Sequence, residues 1–453
     1  MTKRIVFLIL LGATFCTQTI SAQTTDETEE TKDTEEAKGG FSIGGYGEAV
    51  MTRNFYSQSF NRYNAPTRYK DSESHGRFDL PHVCINMGYD FGNGWSMGSE
   101  IEFEHGGAGT AVELEAEESG EYEAETEKGG EVVLEQFWLN KRFGNGELNI
   151  KAGEIIVPVG LSNAYHEPIH FFGCYRPEGE ATIMPNTWHQ LGASIWGRTG
   201  DWRYEAQFLS ALNSESFSAE NFVHYGATSP YEYKVANTYA FAGRVDNYSV
   251  KGLRMGISGY YGHTFRNSIK TPGASYDDVT GALSIIAFDF TLNRSNWVVR
   301  GNIDYAHLSD ADRISSYNQA NWTHHKYQDG SPFKYSNIAS NAFAVAIEGG
   351  YDIASLLPSR GVNKFYVFGR LEHYNTMAAG TYKSLYNYCK KSRYAVGINY
   401  YPIKEVVVKA EYAYRAFKKP NNNGLREDSP LYVQPYNNEP SVSISIAYCG
   451  WFM

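Results

Sequence analysis

Several features that would assign the chain to a class at once are missing from it. Beyond residue 22, no apolar run approaches the roughly 18–20 residues with which an α-helix crosses a bilayer, so the sequence predicts no transmembrane helix. P-loop and paired-cysteine metal motifs are also absent from the sequence. We therefore expect no enzyme, no cofactor, no metal site and no nucleic-acid partner.

Cysteine is scarce, with 5 residues in 453. Four of them follow residue 22, namely Cys84, Cys174, Cys389 and Cys449, and four thiols allow three pairings in an oxidising compartment. Their spacing matches no metal site, and Cys84 and Cys449 fall within predicted strands. We expect isolated small residues of the core or lumen rather than a disulfide framework.

The first forty residues divide into an export signal and an acidic tail. Residues 1–22 are typical of a secretory signal peptide, with Lys3 and Arg4 ahead of an apolar core at 5–13 and a cleavage site at 20–22. Residues 24–38 hold 7 acidic and 2 basic residues and no large apolar side chain, so they cannot bury enough surface to fold. We predict a disordered periplasmic tail over 23–40 and one domain over 41–453.

That domain contains repeated alternation of apolar and polar residues. In residues 95–105, for example, Trp95 and Ile101 fall on one face of a strand while Glu100, Glu102 and Glu104 fall on the other. The alternation predicts sixteen strands, each with an apolar lipid-facing side and a polar lumenal side. They are 41–53, 77–91, 95–105, 131–143, 147–156, 188–198, 201–211, 235–248, 252–266, 278–291, 296–308, 341–353, 363–375, 391–401, 405–418 and 440–453.

The connections between these strands alternate between short and long. Seven are mostly tight Gly, Asn or Pro turns, whereas eight are long, such as 54–76, 157–187 and 309–340. This parity predicts an all-β fold, a transmembrane antiparallel β-barrel with short periplasmic turns and long extracellular loops. Aromatic residues near the short-turn end predict a belt at the membrane interface: Phe91, Trp95, Phe143, Trp196, Trp202, Tyr248, Phe290, Trp297, Tyr351, Phe365, Tyr400, Tyr401 and Phe452.

The third long connection, 157–187, is the candidate constriction loop, which we expect to fold into the lumen. An ordinary surface loop is the alternative. The spacing of its two histidines suits a helix, which the proline between them opposes, so we expect no metal there. The residues that we expect at the constriction are His166, Glu167, His170, Arg176, Glu178 and Glu180.

Charged residues at lumenal positions predict an uneven charge distribution inside the barrel. Acidic Glu100, Glu102 and Glu104 lie on the third strand, and basic Arg370, Arg393, Lys409 and Arg415 lie on the thirteenth to fifteenth strands. On the lipid face, charges at mid-membrane would cost about 2–4 kcal/mol each, which favours the lumen. We predict a transverse field across the constriction that penalises apolar solutes.

A further acidic segment lies in the second long connection. Residues 113–131 contain nine Glu and one Lys, and their two halves alternate around Ser119-Gly120. The pattern predicts a hairpin that projects from the barrel into solvent. Divalent-cation bridging to lipopolysaccharide and attraction of cations are the alternative roles.

From residue 41 to residue 453 the chain resembles Gram-negative outer-membrane porins, nearest the phosphate-selective porin O and P family. The resemblance rests on Gly153, Pro158, Gly160 and Leu161 in the segment GEIIVPVGL, together with the alternating C-terminal strand. The family often has an aromatic residue after the proline, where this chain has Val159. The resemblance implies a ladder of lumenal arginines and a lysine cluster for phosphate, which cannot be placed on this chain residue by residue.

These patterns together predict a bacterial outer-membrane porin for passive diffusion of small hydrophilic solutes or ions. Sixteen closed strands leave a lumen too wide for side chains to fill, so we expect a constricted water channel. We also expect contact with outer-membrane lipid and lipopolysaccharide, and a homotrimer. A phosphate or anion channel and a plugged barrel acting as an adhesin or scaffold are the alternatives.

Overall fold

The computed structural model describes residues 40–57, 74–106, 110–115, 123–128, 131–229, 233–269, 272–321, 337–356, 364–384, 386–418 and 438–452. The predicted signal peptide and nearly all of the predicted tail lie outside these residues. Nineteen strands and three α-helices are found among them, and the helices are α1 (Leu161–Ala164), α2 (Glu178–Ile183) and α3 (Ala311–Ala320). None of these helices has both the length and the apolar character needed to span a bilayer.

The strands account for most of the described chain. They are β1 (Gly40–Asn54), β2 (His75–Asp79), β3 (His82–Gly92), β4 (Trp95–Glu104), β5 (Thr110–Glu115), β6 (Glu123–Lys128), β7 (Glu131–Phe143), β8 (Leu148–Ile156), β9 (His189–Thr199), β10 (Trp202–Ser210), β11 (Tyr239–Val250), β12 (Leu253–His263), β13 (Ala282–Arg294), β14 (Trp297–Leu308), β15 (Asn341–Asp352), β16 (Lys364–Ala379), β17 (Lys390–Ile403), β18 (Val406–Phe417) and β19 (Asn438–Trp451).

Sixteen of these strands, β1, β3, β4 and β7 to β19, form a closed antiparallel barrel. Each pairs with its neighbour in sequence, and β1 pairs with β19 from Gly44 opposite Trp451 to Asn54 opposite Ser441. Closure gives every strand a hydrogen-bonding partner on both sides, as a bilayer requires. The predicted fold and strand number are confirmed.

Two local features modify the predicted strand pattern. The predicted strand 77–91 is divided into β2 and β3 around Pro81, whose ring nitrogen has no hydrogen to donate to a ladder. The acidic segment contributes β5 and β6, which pair from Thr110 opposite Lys128 to Glu115 opposite Glu123. The predicted hairpin is confirmed, and its tip lies outside the described residues.

The outer surface of the barrel is apolar and its inner surface is mainly polar. Ile257, Ile286 and Ile303 are more than half exposed on the outer face, as lipid contact requires. Trp95, Trp202 and Trp297 are also outward and about half exposed at the short-turn end. The aromatic prediction is wrong for three residues, because Trp196, Tyr248 and Tyr401 lie on the inner face at that level.

Four buried cysteines remain unpaired among the described residues, as predicted. Cys84 and Cys449 lie on either side of Tyr46 in neighbouring strands and pack with it. Burial rather than a disulfide therefore accounts for them.

The long-loop end of the barrel contains an apolar core that the strand pattern did not predict. Described parts of the connections 211–238, 264–281 and 309–340 fold against the inner faces of β11 to β15. Phe217, Phe265 and Ile314 from these connections pack with Leu283 and Trp188 and are almost completely buried. We call this set the apolar loop cluster.

Candidate functional site

The connection between β8 and β9, residues 157–188, enters the barrel. We call it the inner loop. Its two ends are joined by a hydrogen bond from the Val157 amide to the Trp188 carbonyl, with an N–O distance of 2.7 Å. Helices α1 and α2 lie within it, and its side chains contact the inner faces of several strands. The prediction of an inward-folded third loop agrees with this position, and an ordinary surface loop does not.

Lys409 of β18 is one anchor of the inner loop. Its ammonium group donates to the carbonyl oxygens of Pro168 (2.6 Å), Phe171 (3.0 Å) and Gly173 (2.8 Å). The side chain is 1% exposed and also lies over the Phe171 ring. Because all three donor hydrogens are engaged, this cation binds loop backbone and does not face the lumen.

Arg370 of β16 holds the next part of the loop. It donates to the Glu348 carboxylate at 2.9–3.0 Å and to the Tyr175 carbonyl at 3.0 Å. Glu348 in turn accepts from the Phe172 amide. A Cβ on Gly173 would lie 2.5 Å from the Arg370 guanidinium, so this close approach favours glycine.

The segment GEIIVPVGL has a structural role at the start of the loop. Gly160 adopts a φ of +85°, and a Cβ there would collide with the Glu180 carboxylate. Both the backbone conformation and the close contact therefore favour glycine. Glu180 accepts from the Leu161 amide (3.0 Å) and the Ser162 amide (2.7 Å). Arg244 of β11 donates to the Gly160 carbonyl at 2.9 Å. The motif therefore forms the turn by which the chain enters the lumen.

Glu178 connects α2 to two arginines of the barrel wall. Its carboxylate lies 2.8 Å from Arg415 Nε and 3.5 Å from Arg393 Nη1. Burial alone would raise the pKa of Glu178, but the two guanidinium groups hold this pKa at about 2. The backbone amides of Glu178 and Gly179 both donate to Glu372 of β16. Glu178 is therefore an ionised residue at a fixed position.

A cavity of about 450 Å³ lies between the inner loop and the wall formed by β1, β2 and β17 to β19. We call it the side cavity. Thr52, Ser441 and Ser443 are among its polar lining residues. Four arginines line it, namely Arg77, Arg176, Arg393 and Arg415, against the two carboxylates of Glu178 and Glu439. Its lining is therefore hydrophilic and modestly positive.

The structure brings all six predicted constriction residues inside the barrel but gives them different surroundings. Arg176 and Glu178 line the side cavity. His170 is 32% exposed and lies 2.7 Å from the buried Glu167 carboxylate. Two further residues are buried away from the cavity, where Glu180 binds loop amides and His166 faces Glu100.

The predicted lumenal charges all lie on the inner faces of their strands. The predicted electric field across an open constriction is not supported, however, because several of these charges are buried. Arg370 and Lys409 anchor the inner loop, which leaves Arg393 and Arg415 as the basic residues of that set that line the cavity. The acids of β4 lie elsewhere: Glu100 and Glu102 are buried and Glu104 is half-buried next to them. Alternation identifies the inner face of a strand, whereas it carries no information on which part of that face a loop covers.

Some cavity residues were missed by the sequence analysis. Glu439 is 2% exposed and forms an ion pair with Arg415 across the β18–β19 ladder, where the two residues are directly opposite. Its parity with Ser441 and Ser443, on the inner face of the last strand, was a signal in the sequence. Tyr175 and Arg77 had no such signal, because their approach depends on the fold of the inner loop and of β2.

Comparison with known proteins supports the architecture. No protein-family model matches the chain. An uncharacterised protein of Aquifex aeolicus (strain VF5) is 26% identical over 403 residues, which cover 86% of this chain and 79% of that protein.

Among solved structures, OprB of Pseudomonas putida superposes with a TM-score of 0.51 at 10% identity, over 90% of this chain and 94% of that one. The fold is that of a porin. The Acinetobacter baumannii outer membrane channel DcaP (TM-score 0.46, 11% identity, 92% and 99% covered) and Salmonella typhi OmpF (0.47, 9%, 90% and 97%) are also similar.

Proposed function

We propose that the protein is a passive outer-membrane channel, not an enzyme, through which small hydrophilic solutes and ions pass beside the inner loop. The observation that carries the proposal is the side cavity, a polar space between a firmly anchored loop and a barrel wall. The porin fold and the apolar outer face support a membrane position. A water-lined passage selects solutes by size and by the charges along it.

The charges of the side cavity favour weak anion preference. Arg77, Arg176, Arg393 and Arg415 exceed the lining carboxylates, while Glu178 and Glu439 neutralise part of that charge. Local potential in a channel scales with the unneutralised charge. The same arginines would also suit a more selective channel for phosphate, because guanidinium groups bind oxyanions with paired hydrogen bonds.

Planar-bilayer recording tests the proposal directly. We expect stepwise currents from the detergent-purified protein and a reversal potential in a KCl gradient whose sign indicates a slight excess of chloride passage. Replacing both Arg393 and Arg415 by Gln should shift that potential towards potassium, because Glu178 and Glu439 lose their partners. Arg313→Gln, which alters an exposed loop ion pair with Asp278, is the control and should leave the potential unchanged.

A plugged barrel that binds a partner is the second candidate. The apolar loop cluster favours it, since packed side chains fill the lumen beside β11 to β15. Folded, heat-modifiable protein without conductance would support this candidate and contradict the channel. Phosphate block of the chloride current at low concentration would instead support the phosphate channel.

Assembly and surroundings complete the proposal. We propose a homotrimer in contact with outer-membrane lipid and lipopolysaccharide, in line with the prediction from sequence. Light scattering of the detergent-solubilised protein, corrected for bound detergent, measures the number of chains. Cell fractionation of the producing bacterium measures the location.

A further inference from the structure

Three glutamates meet on the inner face of the barrel wall, beside the inner loop. Glu100 and Glu102 lie on β4 and Glu135 lies on β7, and none of them is more than 3% exposed. The imidazole of His82 contacts the Glu102 carboxylate, and Arg176 supplies one positive charge at a distance of 3.0 Å from His82 Nε2. Among the residues that the structure describes, these three buried carboxylates therefore face one permanent cation, Arg176. Removing such charges from water costs free energy unless they are neutralised.

A β-bulge places the third carboxylate in this cluster. The β4–β7 register passes from Glu100 opposite Gln136 to Ile101 opposite Leu134, so Glu135 has no residue opposite it. Leu134 is half exposed on the outer face, whereas Glu135 is 1% exposed on the inner face. Bulges redirect a side chain in this way, and they are common next to functional sites.

Three ligand-type atoms in the cluster lack a hydrogen-bond partner. They are Glu100 Oε1, Glu135 Oε2 and Nε2 of His166, whose side chain is 8% exposed. One ligand atom from each of these three residues lies within 4.8 Å of those of the other two.

The tautomer of His166 suits metal binding. Its Nδ1 lies 3.4 Å from the Asn163 carbonyl oxygen, which only an N–H can satisfy, so in the neutral imidazole the lone pair is on Nε2. That Nε2 faces the Glu100 carboxylate at 3.9 Å. Metal-binding histidines are held in the same manner, with the other ring nitrogen donating to a carbonyl or carboxylate.

We propose that Glu100, Glu135 and His166 bind a divalent first-row transition-metal ion, for which Zn²⁺ is the probe. Two carboxylate oxygens and one imidazole nitrogen suit Zn²⁺ or Mn²⁺, whereas Ca²⁺ and Mg²⁺ prefer oxygen ligands throughout. Because His166 belongs to the inner loop and both glutamates belong to the wall, the ion joins the loop to β4 and β7. The sequence analysis expected no metal in this loop, and it had no means of bringing together ligands from three separate segments.

The test measures Zn²⁺ bound to the full-length protein, purified in detergent and freed of metal with a chelator. We expect about one tightly bound ion per chain. Glu135→Gln and His166→Asn should each weaken binding at least tenfold. Zn²⁺ should raise the heat-modification midpoint of the wild type and of the controls but not of these two variants. His170→Asn is the matched control, because His170 pairs with Glu167 and has no role in the proposed site.

A second control changes Glu113, Glu115, Glu123 and Glu125 of the acidic hairpin to Gln, which removes four of the nine glutamates in 113–131 and should leave the Zn²⁺ affinity unchanged. Equal Zn²⁺ affinity in the wild type and Glu135→Gln would overturn the proposal. So would a wild type that binds no added Zn²⁺. Co²⁺ absorption by the wild type, which needs no variant, should show visible bands perturbed by nitrogen coordination, and a spectrum identical to that of the free ion would also overturn it.

Discussion

The two sides of the barrel interior differ in what fills them. Beside β11 to β15, loop side chains such as Phe217 and Ile314 form an apolar core, and the wall charges Arg244, Asp246 and Asp289 are completely buried in one ion-pair network. Beside β1, β18 and β19 the interior holds the side cavity, where Arg415 keeps about a quarter of its side chain exposed.

This difference assigns two roles to charges that look alike in the sequence. A charge whose donors or acceptors are all engaged by protein fixes the position of a loop and interacts little with a passing ion. A charge that keeps contact with solvent acts on solutes. Lys409 and Arg415 lie six residues apart on the same strand face and belong to different classes.

The largest effect should come from removing a loop anchor. Lys409→Met leaves three loop carbonyls without a donor, which should lower the free energy of unfolding on the order of 3–5 kcal/mol. The inner loop should also lose its fixed position, so single-channel conductance should increase and become noisier. Thermal unfolding in detergent and bilayer recording measure the two effects.

Lys404→Met is the control for this change, since Lys404 is 72% exposed in the turn that follows β17. Its stability and conductance should match those of the wild type. If Lys409→Met instead shifted only the reversal potential, Lys409 would act on ions directly, as the sequence analysis assumed.

Substitutions in the apolar loop cluster should change stability without changing transport. Phe217→Ala opens a cavity in the apolar loop cluster, and such truncations cost about 3–5 kcal/mol. Conductance of the protein that still folds should not change, because no solute passes there. Phe208→Ala, on the lipid face, is the control and should cost less, because Phe208 is already 46% exposed. A larger conductance in Phe217→Ala would place the passage through the cluster.

The smallest effect should come from one charge in the side cavity. Glu178→Gln leaves Arg393 and Arg415 less neutralised, so the reversal potential should move a few millivolts towards chloride. Because the pKa of Glu178 is about 2, its charge is constant between pH 5 and pH 8, and this difference from the wild type should not vary with pH over that range. Glu405→Gln, in the turn before β18, is the control. A shift towards potassium would contradict the assignment of the cavity as the passage.

Strand positions could be predicted closely from the sequence. The predicted strand 95–105 is observed as Trp95–Glu104, and 405–418 is observed as Val406–Phe417. Alternation succeeds because each side chain of a barrel strand faces either lipid or interior, and this choice is made locally, residue by residue. The division at Pro81 was also readable in principle from its missing N–H.

The interior could not be predicted in the same way. Lys409 binds carbonyls 236 to 241 residues away in the chain, and Glu135 depends on a bulge that breaks the alternation. By itself the sequence determined the closed barrel and the face of each strand, because these follow from local periodicity and connection length. Only the tertiary structure decided which lumenal charges anchor that loop and which keep contact with solvent, because covering a side chain depends on partners that distant segments bring to it.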